Sequence, residues 1–215
     1  MTELSKRIIT SFFLLALFFL SININYLSFL VLISCFYLIF EEFYNLLKKI
    51  YFKSNKLKIY FLSFLSSILL AYLIIWVWFS LNSPNNFDRI YLFILISISI
   101  TSDIGGYCFG KFFKGKKLTK ISPNKTYSGM FGSYLMSIFI VYITFKGIFL
   151  TNYLILIILF ISTVSQFGDL FISFLKRKAN VKDTGKVLPG HGGILDRFDG
   201  LIFALLFGSL LKIII

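Results

Sequence analysis

The chain has 215 residues, 58% of them hydrophobic and 14% charged, and a mean hydropathy of +0.86; soluble domains run nearer about 45–50% apolar and about 25% charged, so an ordinary soluble domain is excluded. Twenty-two Lys and Arg against nine Asp and Glu give a net charge of +13. Twenty-eight Phe and 12 Tyr exclude a disordered chain, while two cysteines (Cys35 and Cys108) and one histidine exclude a disulfide scaffold and a zinc site built from His and Cys alone.

Apolar stretches separated by charge and turn residues fall at 8–22, 26–40, 59–81, 90–109, 130–145, 148–167 and 194–215. They predict an all-α, polytopic transmembrane bundle of about seven helices, a single integral membrane domain over 1–215. Several stretches are shorter than the ~20 residues that cross a ~30 Å hydrocarbon core. The number of spans within 1–58 is the least determined part of this reading. Lys6 and Arg7 before the first stretch also resemble the start of a secretory signal. No small-x-small cleavage site follows in Ser21-Ile22-Asn23-Ile24-Asn25, so the stretch is read as a first span.

Basic residues assign the sides. The N-terminus holds two, the loop at 41–58 five, and the segments at 110–129 and 168–197 six each. The intervening connections hold none at 23–25 and one each at Arg89 and Lys146, with Lys212 near the C-terminus. Nineteen of 22 therefore alternate onto one side, which the positive-inside rule places in the cytoplasm, N-terminus in and C-terminus out. An even number of spans would destroy the alternation.

Glycine concentrates in two windows: six of 14 lie in 105–132 and six in 168–200, with Pro123 and Pro189 in the same windows. Five of the nine acids lie in or beside them: Asp103, Asp169, Asp183, Asp196 and Asp199. Flexible backbone beside lysines and aspartates suits a site that wraps phosphates and a divalent metal. Ordinary loop composition with positive-inside lysines is the plainer account of any one lysine. The fourth and sixth spans run toward the cytoplasm and carry Asp103 and Asp169 near their ends; the seventh starts there with Asp196 and Asp199. Ser165, Asp169, Ser173 and Lys176 recur at i, i+4, i+8 and i+11, one polar stripe along an apolar helix. Ionisable groups at membrane depth mark function by default; structural pairing of these acids with Arg or Lys, Arg177 and Arg197 being the obvious partners, is the rival account. Hard oxygen donors without a His or Cys cluster point to Mg²⁺, held by one or two carboxylates and substrate phosphates.

The segment Ser173-Phe-Leu-Lys176-Arg177-Lys-Ala-Asn-Val-Lys182-Asp183-Thr-Gly185-Lys-Val-Leu188-Pro189-Gly-His191-Gly192-Gly193-Ile-Leu-Asp196-Arg197-Phe-Asp199 resembles, throughout its 27 positions, the signature of the phosphatidate cytidylyltransferase (CDP-diacylglycerol synthase) family. Asp103-Ile-Gly-Gly-Tyr107 is similar to the family's Asp-x-x-Ala-Tyr stretch, and Ser122-Pro123-Asn-Lys125-Thr126-Tyr-Ser-Gly129 to its Ser-Pro-x-Lys-Thr-x-Glu-Gly loop. The opening, Lys6-Arg7-Ile8-Ile9-Thr10, two apolar runs and the acid pair Glu41-Glu42, also resembles the family. Ile172 and Ser128 stand where the family usually has Glu, and Gly106 where it has Ala. The chain is shorter than typical bacterial members.

The resemblance implies a nucleotidyltransferase of phospholipid biosynthesis that converts CTP and phosphatidate to CDP-diacylglycerol and pyrophosphate, with its site facing the cytoplasm at a bacterial inner membrane. It implies Asp169 and Asp196 as Mg²⁺ ligands, and a second, monovalent cation such as K⁺ near Ser173. Lys176, Arg177, Lys182 and Arg197 are expected to neutralise phosphates. Asp103, Ser122, Lys125, Thr126, Asp183, His191, Gly192, Gly193 and Asp199 are the expected substrate contacts, with the Pro189–Gly193 turn suited to offering backbone N–H groups to phosphate oxygens. The family also implies a homodimer; nucleic acid is not an expected partner.

Three other readings compete. A CTP-dependent polyprenol or phytol kinase would transfer the γ-phosphoryl group instead. A CDP-alcohol phosphotransferase shares the start of its motif at Asp196-Arg-Phe-Asp199-Gly200, but Ala204 falls one position late and no Arg follows. An ion-coupled transporter predicts acids spread through the membrane depth, whereas these gather at one face.

Overall fold

A computed structural model describes residues 24–51, 55–119, 121–145, 154–187 and 192–214. These form six helices: α1 (Asn25–Tyr51), α2 (Lys56–Asn82), α3 (Asn86–Phe113), α4 (Tyr127–Thr144), α5 (Leu154–Lys178) and α6 (Leu195–Ile214). Five of them, α1 to α5, are long and apolar enough to cross a membrane, which agrees with an all-helical membrane bundle. The first expected span, 8–22, lies outside the described residues. Residues cluster into two compact units, one of 1–85 and 175–198, the other of 86–174 and 199–215.

The first unit is built on the α1–α2 hairpin. Asn55 caps α2, its side-chain oxygen accepting from Lys58 N at 3.2 Å, the usual relief for an orphan N–H in a first helical turn. At the other end Ser83 is extended (φ −60°, ψ 134°) because Pro84 follows it and disfavours the helical conformation there. Phe36, Ile39, Leu46 and Leu47 are buried on one face of α1 at helical spacing. Phe29 meets Trp78 edge to face at a centroid distance of 5.5 Å. On α2 large side chains such as Tyr60, Phe61, Phe64, Ile75 and Phe79 remain exposed, as expected where the solvent is lipid.

The sequence reading ends this span at 40 and makes 41–58 a loop. Instead α1 continues to Tyr51 and only 52–54 separate it from the described start of the next element. The acids and lysines of that stretch ride on the helix. Asn180 (φ 54°) similarly closes α5 in the left-handed conformation, with Val181 N donating to Lys176 O at 3.0 Å and Asn180 N to Arg177 O at 3.1 Å. That pair of bonds is the Schellman closure of a helix end, and Asn is the non-glycine residue that best tolerates it.

The second unit packs α3 and α4 backbone against backbone. A Cβ at Gly105 would stand 2.8 Å from Met136 Cβ and collide with Gly132 O, and one at Gly129 would stand 2.7 Å from Gly106 O. Without a hydrophobic drive in lipid, such close contact and hydroxyl hydrogen bonds are what hold helices together. Hydroxyls are plentiful here. Ser133 Oγ donates to Ser102 O at 2.7 Å, Ser99 meets Ser165 and Ser102 meets Ser162, both at 3.0 Å, and Tyr91 donates to Gly208 O at 2.8 Å. Leu92, Leu95, Ile98, Val141, Ile158, Ile161 and Ala204 fill the rest of this core.

Candidate functional site

In the second unit α3 ends at Phe113 and Lys114 turns the chain at φ 44°. The strand-like segment that follows pairs with the one before α4: Leu118 N donates to Lys125 O at 2.7 Å and Tyr127 N to Lys116 O at 3.0 Å. Between them Ser122-Pro123-Asn124-Lys125 makes a tight turn, Lys125 N bonding Ser122 O at 3.1 Å with Pro in the position its fixed φ favours. Thr126 caps α4 by accepting from Gly129 N at 3.1 Å. Ser128 bonds both the Thr126 hydroxyl (3.0 Å) and Gly115 N (3.2 Å), tying the loop to the helix start.

That loop closes over a cavity of about 280 Å³. Asp103 from α3, Ser122, Lys125 and Thr126 from the turn, and Gln166 and Asp169 from α5 all line it. Five residues expected from sequence to touch substrate or metal thus share one cavity. Lys125 and Asp169 form an ion pair, each about a quarter exposed (25% and 29%). Asp103 and Asp169 together give two carboxylates, with the hydroxyls of Ser122 and Thr126 beside them.

In the first unit the signature segment folds onto one carboxylate. Asp196 Oδ1 accepts from Lys176 Nζ at 2.7 Å. Asp196 Oδ2 accepts from Thr184 N at 2.8 Å, Thr184 Oγ1 at 3.0 Å and Gly193 N at 3.1 Å. Lys176 and Asp196 are 14% and 10% exposed, a largely desolvated pair. Gly193 was expected to offer its N–H to a phosphate; it is directed at Asp196 instead. Gly192 adopts φ 85°, a conformation that L side chains rarely accept, and a Cβ there would lie 3.5 Å from Asp183 Cβ. Arg177, Lys182, Asp183 and Arg197 are exposed around this segment and Ser173 is half-buried. His191 lies outside the described residues. Asp199 is buried at the head of the second unit's part of α6, its Oδ1 accepting from Gly200 N at 2.9 Å.

One residue of this cluster escapes the sequence reading. Glu42 is 4% exposed; its Oε2 accepts from Thr184 Oγ1 at 2.7 Å and Leu195 N at 2.9 Å, and its Oε1 from Ile194 N at 3.0 Å. A signal was available. Phe36, Ile39, Glu42 and Leu46 follow one helical stripe, so Glu42 occupies a core position in an otherwise apolar face.

Among the described residues no group of three or more His, Cys, Asp or Glu side chains could cage a metal. Mg²⁺ does not need one, since it commonly binds through one or two carboxylates, water and substrate phosphates. Carboxylates and hydroxyls around the cavity, with no imidazole or thiolate among its lining residues, are the donor chemistry of a hard cation. The residues present fit that ion.

Comparison with known proteins agrees with this chemistry. The model of a family described as "Cytidylyltransferase family" matches residues 6–214. The phosphatidate cytidylyltransferase of Rickettsia conorii is 40% identical over 134 residues, 58% of this chain and 56% of that protein. That of Bacillus subtilis is 40% identical over 131 residues, 59% of this chain and 49% of the relative, and that of Staphylococcus epidermidis 43% over 121 residues, 54% and 46%. The chain spans about half the length of the curated relatives it matches.

Proposed function

The chain belongs to the cytidylyltransferase family, and from that premise we propose that it converts CTP and phosphatidate to CDP-diacylglycerol and pyrophosphate. The observation that carries the reading is the convergence of Lys176, Thr184 and Gly193, three members of the 173–199 signature, on the carboxylate of Asp196. A mere chance match in sequence would not fold its members into one bonded cluster.

The chemistry asks little in the way of proton transfer. A phosphate monoester with a second pKa of ~6 is largely ionised near neutrality and attacks without a strong general base. One phosphate oxygen of phosphatidate bonds to the α-phosphorus of CTP, and the bridging bond breaks with its electron pair leaving on pyrophosphate. Bringing two polyanions together is the hard part, and cationic side chains and metal ions are the usual answer. Arg177, Lys182 and Arg197, exposed beside the signature, take the phosphate-neutralising role, and Lys176 adds a cation held in place by Asp196. Asp183 orients Lys182 or Arg197. On the cavity side Asp103, Ser122, Lys125 and Thr126 take the nucleotide, where the hydroxyls of the turn and the Lys125 ammonium group suit a phosphate chain. His191, Gly192 and Asp199 complete the proposed substrate contacts.

Asp169 and Asp196 are proposed as Mg²⁺ ligands, each on its own surroundings: Asp169 lines an oxygen-rich cavity, and Asp196 is fixed by backbone N–H groups that leave its orientation little freedom. Bound Mg²⁺ supplies charge neutralisation at the reacting phosphates and the leaving pyrophosphate. A second, monovalent cation near Ser173 and a homodimer follow the family resemblance. The lysine and arginine count supports an N-in, C-out arrangement of seven spans in a bacterial inner membrane, with the site on the cytoplasmic side.

Incubating membranes that contain the protein with labelled CTP and phosphatidate, with and without Mg²⁺, tests the proposal. The expected result is Mg²⁺-dependent CDP-diacylglycerol and pyrophosphate. Release of CDP with phosphorylation of a lipid alcohol would replace it with the kinase reading.

A further inference from the structure

Glu42 is an acid where the α1 face otherwise buries Phe36, Ile39, Leu46 and Leu47. An ionised carboxylate is retained in such a place only when its charge and lone pairs are met by good donors. Its three partners divide into two kinds. Ile194 N and Leu195 N, at 3.0 and 2.9 Å, are orphan donors at the start of α6, where a negative charge is also favoured by the helix dipole. Thr184 Oγ1, at 2.7 Å, belongs to the loop that follows α5; its amide donates to Asp196 Oδ2 at 2.8 Å, and its single hydroxyl hydrogen is shared between Glu42 and, at 3.0 Å, Asp196.

We propose that Glu42 is a positioning residue for Asp196: from α1 it fixes both the first turn of the helix that bears Asp196 and the threonine that holds the Asp196 carboxylate. The surrounding backbone is shaped for that carboxylate. A side-chain carbon at Gly185 would fall on Glu42 Oε1, and one at Gly193 on Thr184 Oγ1 and then on Glu42 Oε2. Two of the signature's glycines are therefore small because an acid from another helix stands against them. This also gives the Glu41-Glu42 pair of the sequence a division of labour, since Glu41 is exposed and Glu42 is not. Glu42 touches no substrate in this role and acts through Thr184 and the α6 turn.

The inference rests on the proposed cytidylyl transfer only for its activity readout, so two measurements separate the two. The first is hydrogen exchange in the purified, detergent-solubilised protein, followed by mass spectrometry on peptides covering 181–187 and 192–198. In Glu42→Gln the charge is lost and one of the two acceptor oxygens becomes an NH₂ group that cannot accept, and both peptides are expected to exchange roughly tenfold faster while the α3 and α4 peptides stay unchanged. Acceleration confined to 192–198 would show a helix cap that does not hold Thr184, and would overturn the proposal whether or not the protein makes CDP-diacylglycerol. The second is turnover per folded molecule with CTP and phosphatidate. Loss of a group that orients a site carboxylate costs about 10- to 100-fold in such systems, and the loss is expected in kcat more than in KM for CTP. Glu42→Gln combined with Thr184→Val should lose less than the two single losses combined, because both cut the Glu42–Thr184 bond. Additive losses would overturn it. Should Glu42→Gln fail to fold, Thr184→Val alone decides: it leaves the two α6 donors with Glu42, so 192–198 should stay protected while kcat falls, and unchanged kcat would refute the link.

Discussion

Lys176 Nζ stands 2.7 Å from Asp196 Oδ1, twenty residues on in the chain, and both side chains are largely out of solvent. Removing the cation strands a carboxylate among backbone donors. Lys176→Met is expected to destabilise the protein by roughly 3 kcal/mol, the usual cost of breaking a desolvated pair from one side. Lys176→Arg, which keeps the charge, should lose less than half of that. Denaturation in detergent monitored by circular dichroism checks both.

Asp169→Asn separates stability from chemistry. The residue is 29% exposed and paired with a lysine that is also partly exposed, so the change should cost about 1 kcal/mol or less in stability. Turnover should nevertheless fall by roughly 100-fold or more if the carboxylate holds Mg²⁺. A variant with wild-type turnover would remove Asp169 from the metal site.

Gly105→Ala tests the α3–α4 seam. The added methyl meets the Gly132 carbonyl and Met136 Cβ, neither of which can swing away. Overpacking of this kind costs about 1–3 kcal/mol, and a lowered thermal midpoint is expected. Gly110→Ala, whose methyl would lie 3.1 Å from the Thr126 hydroxyl, should be milder.

Asn180 offers a test with a stabilising outcome. At φ 54° glycine is free of the Cβ penalty, so Asn180→Gly should be neutral or slightly stabilising, and Asn180→Ala should cost about 1 kcal/mol. The same thermal measurement reads both variants, and equal midpoints would contradict the closure of α5 described above.

Residue type and spacing made much of the site legible. Asp103 and Asp169 stood out as charges in apolar sequence, and they line one cavity with Ser122, Lys125 and Thr126, which the family's loop pattern singled out. Lys176 and Asp196 sat in one signature and pair directly. Glu42 did not stand out because an acid pair followed by Lys48 and Lys49 looks like the end of a span. Charges on a helix leaving the hydrocarbon do not stop the helix, and only the burial of every third or fourth side chain distinguishes continuation from a loop. The role of the Gly193 amide was equally hidden. A glycine-rich turn has the same composition whether its N–H groups face a phosphate or an aspartate of the next turn.

The pairs Lys125–Asp169 and Lys176–Asp196 have a consequence in charge accounting. Glu42, Asp196 and Lys176 form one bonded cluster, and Asp103, Asp169 and Lys125 line one cavity. Each set holds two carboxylates and one ammonium group, an excess of one negative charge in a chain whose total is +13. Under the proposed reaction, a bare triphosphate meets that excess negative charge as repulsion at either set. In the same reaction a polyanion that arrives already carrying a cation does not, and the local charge of each set would favour the metal-complexed nucleotide over the bare one.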